Sequence, residues 1–113
     1  MSWFGGYVLE SSDKVPGNHE ILPVTDSIAY FSRSKILPTW GNFTGMYAQA
    51  VLVTNEGGDI RFRIDNIGPP TLTHGHILVN GDSLMLIGTQ AINQFRAIKL
   101  GETDGTLQVT YFY

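Results

Sequence analysis

Hydrophobic and polar residues alternate in two stretches of the chain. The first is Asp59-Ile60-Arg61-Phe62-Arg63-Ile64, and the second is Leu107-Gln108-Val109-Thr110-Tyr111-Phe112-Tyr113. Because successive side chains of a strand point to opposite faces of the sheet, a period of two predicts β-strands with one dry face. The residues on that face are predicted to be Ile60, Phe62 and Ile64 in the first strand, and Leu107, Val109, Tyr111 and Tyr113 in the second.

Shorter apolar runs predict further strands at residues 27–31, 47–54, 76–79, 83–87 and 95–100. We expect a hairpin turn at Asn55-Glu56-Gly57-Gly58, where the glycines would supply positive φ, and a second glycine turn at Asn80-Gly81-Asp82. Residues 88–94 are expected to hold one short helical turn. Short strands with frequent turns predict an all-β fold, a compact antiparallel β-sandwich or jelly-roll-like barrel. Two layers are needed, because a single sheet would leave an apolar face in water.

The first 25 residues show no sustained period and contain Pro16 and Pro23. Proline lacks an amide proton and is confined to edges, turns and extended arms. We therefore expect an extended N-terminal arm at residues 1–25 and a β-sandwich domain at residues 26–113. The aromatic residues Trp3, Phe4 and Tyr7 are expected to pack on this domain or on a neighbouring subunit. An edge strand around residues 6–10 is the alternative.

Residues 32–44 form a predicted long loop that carries Trp40 and Phe43. Binding residues are frequent on such loops, although the two side chains can equally pin the loop to the core. Arg61 and Arg63 share the polar face of their strand, which is either a solvated outer face or a surface that meets carboxylates of a neighbouring protein. The candidate partner-binding residues are Trp3, Phe4, Tyr7, Trp40, Phe43, Arg61 and Arg63.

The composition limits the class of protein. A chain of 113 residues is long enough for one domain with its own core. Charged residues make up 15% of the chain, against about 25% in typical soluble domains, which favours burial of surface in an assembly. The net charge of −3 and the scattered basic residues argue against a nucleic-acid partner. Cysteine is absent, and no apolar run approaches the length of a membrane span, so we expect a soluble protein made in the cytosol.

The strongest candidate for chemistry is His74-Gly75-His76, whose two imidazoles would share one face of a strand. Gly68, five further residues and His-x-His resemble the opening of a cupin motif. A cupin site also needs a glutamate where this chain has Asn80 and Gly81, and a later histidine that this chain lacks. No nucleophile motif is present, so we expect no enzyme activity, no metal and no cofactor. Two alternatives remain, a small cupin-like metal enzyme using both histidines and a carbohydrate-binding module using Trp40 and Tyr47.

The second half of the chain carries a series of framework segments. They are Ile60-Arg61-Phe62-Arg63-Ile64-Asp65, Pro70-Thr71-Leu72-Thr73-His74-Gly75-His76-Ile77-Leu78, Gly81-Asp82-Ser83-Leu84-Met85-Leu86, Ile92-Asn93-Gln94-Phe95-Arg96-Ala97-Ile98 and Leu107-Gln108-Val109-Thr110-Tyr111. This series resembles small bacteriophage virion proteins of β-sandwich type. The resemblance implies a non-enzymatic structural protein of the virion, made in the host cytoplasm.

Within that class, the resemblance favours a capsid cement or decoration protein. Such a protein binds and stabilises the lattice of the major capsid protein as a homo-oligomer, with a trimer favoured. A neck or tail component is the alternative within the class. Neither role involves nucleic acid or a membrane.

Overall fold

Two antiparallel β-sheets face each other in the computed structural model, which describes residues 14–113. The strands in chain order are β1 (Pro16–Val24), β2 (Ala50–Asn55), β3 (Ile60–Arg63), β4 (His76–Leu78), β5 (Ser83–Ile87), β6 (Arg96–Lys99) and β7 (Gly105–Phe112). The helices are α1 (Arg33–Ile36) and α2 (Thr89–Gln94). The first sheet has the order β1-β7-β2-β5 and the second the order β4-β3-β6. The predicted all-β sandwich is confirmed.

The alternating stretches form the inner faces of the two sheets. Ile60 and Phe62 of β3 are buried, and so are the predicted inward residues of β7. Aromatic rings fill the space between the sheets: Phe95 stacks on Phe31 with ring centroids 4.2 Å apart and on Phe62 at 5.6 Å. Phe31 meets the edge of Tyr111 at 5.9 Å. The period of two therefore located the core face correctly in both strands.

Strand β7 lies in the interior of the first sheet and pairs along both of its edges. It runs antiparallel to β1, from Val24 opposite Gly105 to Pro16 opposite Phe112. On its other side it pairs with β2, from Asn55 opposite Leu107 to Ala50 opposite Phe112. This strand thereby joins residues from the beginning and the middle of the described chain.

The predicted hairpin at residues 55–58 is wrong. β2 pairs with β5 and β7 in the first sheet, so both of its edges are occupied, and β3 belongs to the second sheet. The connection crosses from one layer to the other. Neither Gly57 nor Gly58 has a positive φ. Instead, Gly58 lies against the backbone of Thr103, and the buried Asn55 side chain donates to the carbonyls of Gly58 and Leu78 at 2.9 and 3.0 Å.

The predicted bounds of three other segments differ from the observed ones. Residues 16–24, assigned to an N-terminal arm, form the edge strand β1, an edge position that accepts both of its prolines. The strand predicted at residues 27–31 reduces to a single bridge between Ala29 and Ala97. The strand predicted at residues 47–54 begins at Ala50. The predicted helical turn is α2.

No helix within residues 14–113 combines the length and the apolar character that crossing a membrane requires.

Candidate binding surfaces

Two tyrosines, Tyr111 in β7 and Tyr113 directly after it, attach α1 and the segment before it to the first sheet. The Tyr111 hydroxyl donates to the Glu20 carboxylate, which also accepts from the backbone N–H of Ser32 at 3.0 Å. Burial and, next, the hydrogen bond to Glu20 raise the pKa of Tyr111 far above its ordinary value. The Tyr113 hydroxyl donates to the carbonyl of Lys35 and accepts from the Asn18 side chain at 2.8 Å. The position of α1 is thus fixed from the buried side.

The loop that follows α1, residues 37–49, is tied to the body by its backbone. The N–H of Ala48 donates to the carbonyl of Ile36 in α1 at 2.8 Å, and the N–H of Gln49 donates to the carbonyl of Phe112 in β7 at 2.8 Å. The N–H of Gly45 donates to the carbonyl of Pro38 at 3.0 Å and closes the loop on itself. Phe43 stacks on Tyr113 with ring centroids 4.6 Å apart. The loop is therefore held at both ends and in its middle.

Trp40 projects from this anchored loop into solvent. Its side chain is 86% exposed, the highest value among the large hydrophobic residues of the described chain. Of the two aromatic residues predicted either to bind a partner or to pin the loop, Phe43 packs on the core and Trp40 does not. Tyr47 is also exposed, near the end of the same loop.

Two open clefts lie beside α1 and share Ser34 and Thr39 in their walls. The first has a volume of about 320 Å³ and is lined by Trp40, Lys35 and the side chains of Asn18 and Asn42, among others. The second, of about 370 Å³, is lined by Tyr47, Arg33 and Asn93 and by apolar residues of α1. Among the described residues, no aspartate or glutamate lines either cleft.

Arg61 and Arg63 bind a different loop, residues 65–75. Arg61 donates to the carbonyls of Leu72 and Gly75 at 3.1 and 2.7 Å. Arg63 forms a bidentate ion pair with Asp65, with an N–O distance of 2.9 Å, and donates to the carbonyl of Pro69. The Ile67 backbone N–H and then the Arg63 side chain lower the pKa of Asp65. Both guanidinium groups therefore hold the chain's own loop in shape.

This loop and β4 carry exposed apolar side chains, which we call the β4 apolar surface: Ile67, Leu72, Ile77 and Val79. Ile67 is 85% exposed and Leu72 is 64% exposed. Arg61 lies opposite Ile77 in the strand register and holds the backbone of Leu72, so it links the strand and the loop parts of the surface. The sequence analysis placed these residues in a connection and a strand and did not recognise them as a surface.

The two histidines of the cupin-like motif lie beside this surface. His74 Nδ1 is 3.2 Å from the Thr73 hydroxyl, and the His76 ring contacts Phe62 with centroids 5.4 Å apart. Both histidines line an open hollow that also includes Asp65. Within residues 14–113, no three histidine or carboxylate side chains converge closely enough to hold a metal ion.

The predicted partner-binding residues thus fall into separate groups. Trp40 and Phe43 line one cleft, whereas Arg61 and Arg63 hold the loop at residues 65–75. Trp3, Phe4 and Tyr7 lie outside the described residues. The basic residues of α1 were not among the predicted binding residues, because Arg33-Ser34-Lys35 shows no apolar period and was assigned to a loop.

Comparison of the chain with protein-family models, with curated protein sequences and with solved structures finds no match.

Proposed function

We propose that the chain is a non-enzymatic structural protein of a bacteriophage virion, a capsid cement or decoration protein. It packs with copies of itself, as a trimer, and binds the lattice of the major capsid protein. The observation that carries this proposal is the β4 apolar surface, which two arginines hold in a fixed shape. The resemblance of residues 60–113 to small virion proteins of β-sandwich type supplies the context.

A solvent-exposed group of large apolar side chains favours a protein contact. Monomeric proteins seldom expose extended apolar patches. The patches that they do expose commonly mark interaction sites. Full burial of one fully exposed isoleucine or leucine contributes about 1.5–3 kcal/mol, and the four side chains are 85%, 64%, 49% and 39% exposed, so together they supply a gross gain of roughly 3.5–7 kcal/mol. Because Arg61 and Arg63 already order the loop, little of that gain is lost to ordering it on association.

The surface suits contact between copies of the chain. Interfaces in homo-oligomers are more apolar than transient ones, and a cyclic arrangement brings this surface of one copy against a different surface of the next. A closed ring then presents several copies of the lattice contact at once, which multiplies a modest affinity. A subunit that binds only the mature shell stabilises that shell by mass action. The aromatic residues Trp3, Phe4 and Tyr7 are proposed to make the lattice contact.

The oligomer is tested by measuring the molar mass of the purified protein by light scattering after size exclusion. We expect a trimer for the unmodified chain and a monomer for the double variant Ile67→Asp, Leu72→Asp. The matched control is Ile21→Asp, which changes an isoleucine that is 62% exposed on β1, and it should remain trimeric. A loss of about 2 kcal/mol of binding free energy at each contact between subunits lowers the affinity of that contact about 30-fold. An unmodified chain that is monomeric, or a double variant that is still trimeric, would overturn the assignment of this surface.

The lattice contact is tested separately on particles. Removal of residues 1–12 is expected to abolish decoration of capsids while the trimer persists, and wild-type occupancy in the truncated protein would refute the role of this segment. Cryo-electron microscopy of the particle distinguishes the positions. Density repeated over the shell supports a cement protein, whereas density confined to one vertex or the tail would replace it with a neck or tail component.

A further inference from the structure

We propose that the two clefts beside α1 together bind an anionic oligosaccharide. This binding activity goes beyond the proposed structural role and uses different residues. No residue of the β4 apolar surface lines either cleft. In this proposal the exposed ring of Trp40 contacts a sugar and not a protein partner.

The two clefts repeat the same combination of side chains. The first is lined by the aromatic residue Trp40 and the basic residue Lys35, and the second by the aromatic residue Tyr47 and the basic residue Arg33. Each cleft has the size of a small-ligand site, for which about 300–1,000 Å³ is usual. Since Ser34 and Thr39 belong to both walls, the clefts adjoin and can hold successive units of one extended ligand.

The polar side chains around Trp40 match a ligand rich in hydroxyl groups. A pyranose ring has an apolar C–H face that can lie on an indole ring, and a rim of hydroxyls that needs hydrogen-bond partners. The first cleft offers such partners in Thr39 and Asn42, which make no side-chain hydrogen bond to any described residue. Asn18 uses its amide nitrogen on Tyr113, which leaves its oxygen to accept from the ligand.

The charge in the clefts indicates that the ligand is anionic. Lys35 and Arg33 are the charged residues that line them within the described chain, although the whole chain has a net charge of −3. Carboxylates on two successive sugar units compensate the two cations, and the planar guanidinium group of Arg33 can bind one of them with two hydrogen bonds. A cationic ligand would meet repulsion at both positions.

The same clefts suit an acidic peptide less well. Peptides commonly add a strand to a free sheet edge or lay an apolar helix face into a groove. The walls here come mainly from a four-residue helix and a loop, with a short part of β1, and their hydrogen-bonding groups are mostly side chains. Because Tyr113 and the backbone of residues 37–49 hold these walls in place, the site is largely formed before the ligand arrives.

The test is isothermal titration calorimetry on the full chain with a galacturonic acid hexasaccharide, in which every pyranose unit carries a carboxylate. Neutral chitohexaose serves as the charge control. We expect the hexasaccharide to bind, and chitohexaose to bind at least about tenfold more weakly, the equivalent of about 1.4 kcal/mol. No heat of binding from the hexasaccharide at millimolar concentration, or equal affinity for both sugars, would overturn the proposal.

Variants assign the site to the clefts. Trp40→Ala and Lys35→Gln should each weaken binding about tenfold, and the Lys35 variant should also reduce the dependence of affinity on salt. Trp40 is exposed and Lys35 is half-buried, and neither belongs to the hydrophobic core, so melting temperatures should match the unmodified chain. The control is Tyr30→Ala, an exposed tyrosine outside both clefts, which should leave affinity unchanged. Unchanged affinity in Trp40→Ala, or full displacement of the sugar by an equimolar hexaglutamate peptide, would refute the proposal.

Discussion

Replacing Gly58 with alanine is expected to destabilise the fold strongly. A Cβ at this position would overlap the carbonyl oxygen of Thr103 and lie 2.7 Å from its carbonyl carbon. Both are backbone atoms, so no side-chain rotation relieves the overlap, and the two connections have to move apart. That movement acts on bonds already present, since the N–H of Gly58 donates to the carbonyl of Asp104 at 2.9 Å and its own carbonyl accepts from Asn55.

The size of the effect follows from these contacts. Overpacking of a close contact costs about 1–3 kcal/mol, and weakening a backbone hydrogen bond adds about 0.5–1.5 kcal/mol. We therefore expect Gly58→Ala to lose about 2–4 kcal/mol of unfolding free energy. The matched control is Gly101→Ala in the facing connection, where a Cβ meets no atom within 4 Å and φ is not positive. That variant should be neutral or more stable by about 0.4–1 kcal/mol, because alanine restricts the unfolded chain.

Urea unfolding followed by circular dichroism measures the unfolding free energy of both variants, and thermal unfolding measures their melting temperatures. The melting temperature of Gly58→Ala should drop by roughly 4 °C for each kcal/mol lost. Because φ at Gly58 is not positive, alanine meets no backbone strain there, and the loss of stability reports the close approach alone. If Gly58→Ala unfolds within about 0.5 kcal/mol of the unmodified chain, the close approach to Thr103 is not the reason for the glycine.

Three further outcomes are expected. Above about pH 10 an unfolded tyrosine loses its proton while folded Tyr111 keeps it, so stability should fall by up to about 1.4 kcal/mol per pH unit. Tyr111→Phe should reduce that slope in urea unfolding between about pH 9 and 11; an equal slope in both proteins would contradict the assignment. Removal of residues 107–113 deletes most of an interior strand and should abolish the cooperative thermal transition, which a cooperative melt of the truncated chain would disprove. Asn55→Ala leaves two buried carbonyls without their donor and should cost about 2–4 kcal/mol of unfolding free energy, whereas a loss below about 0.5 kcal/mol would show that they find other donors.

The layered all-β architecture was predictable because its cause is local. In β3 and β7 every second side chain is buried, and the sequence shows that period directly. The membership of strands in the two sheets was not predictable in the same way. Gly57 and Gly58 are compatible with a tight turn and with close approach to another backbone, and only the distant residues 103–106 decide between them.

Strand β1 was not predicted from the sequence, because polar residues interrupt its apolar pattern. Glu20 is partly buried and bonds the Tyr111 hydroxyl, so a charged residue stands where an apolar one would complete an alternating pattern. The candidate sites show the same limit. A long loop that carries Trp40 was predicted, with its aromatic side chains either exposed or pinned to the core, but the cleft at Trp40 also needs Asn18 and Lys35 from other elements. Likewise, Arg61 and Arg63 were recognised as a pair, whereas their carbonyl partners at residues 69, 72 and 75 are backbone groups of a loop, whose path the residue types do not show.

The interior place of β7 determines the order in which the first sheet can form. β1 and β2 are synthesised before β7 but do not pair with each other, so each has to wait for β7 to be inserted between them. Until then the inward valines of β2 and the unpaired edges of both strands remain open to other chains. The pairing of β1 with β7 also spans most of the chain, and such long-range pairing is slow. During synthesis the chain is thus most exposed to aggregation just before residues 105–112 emerge.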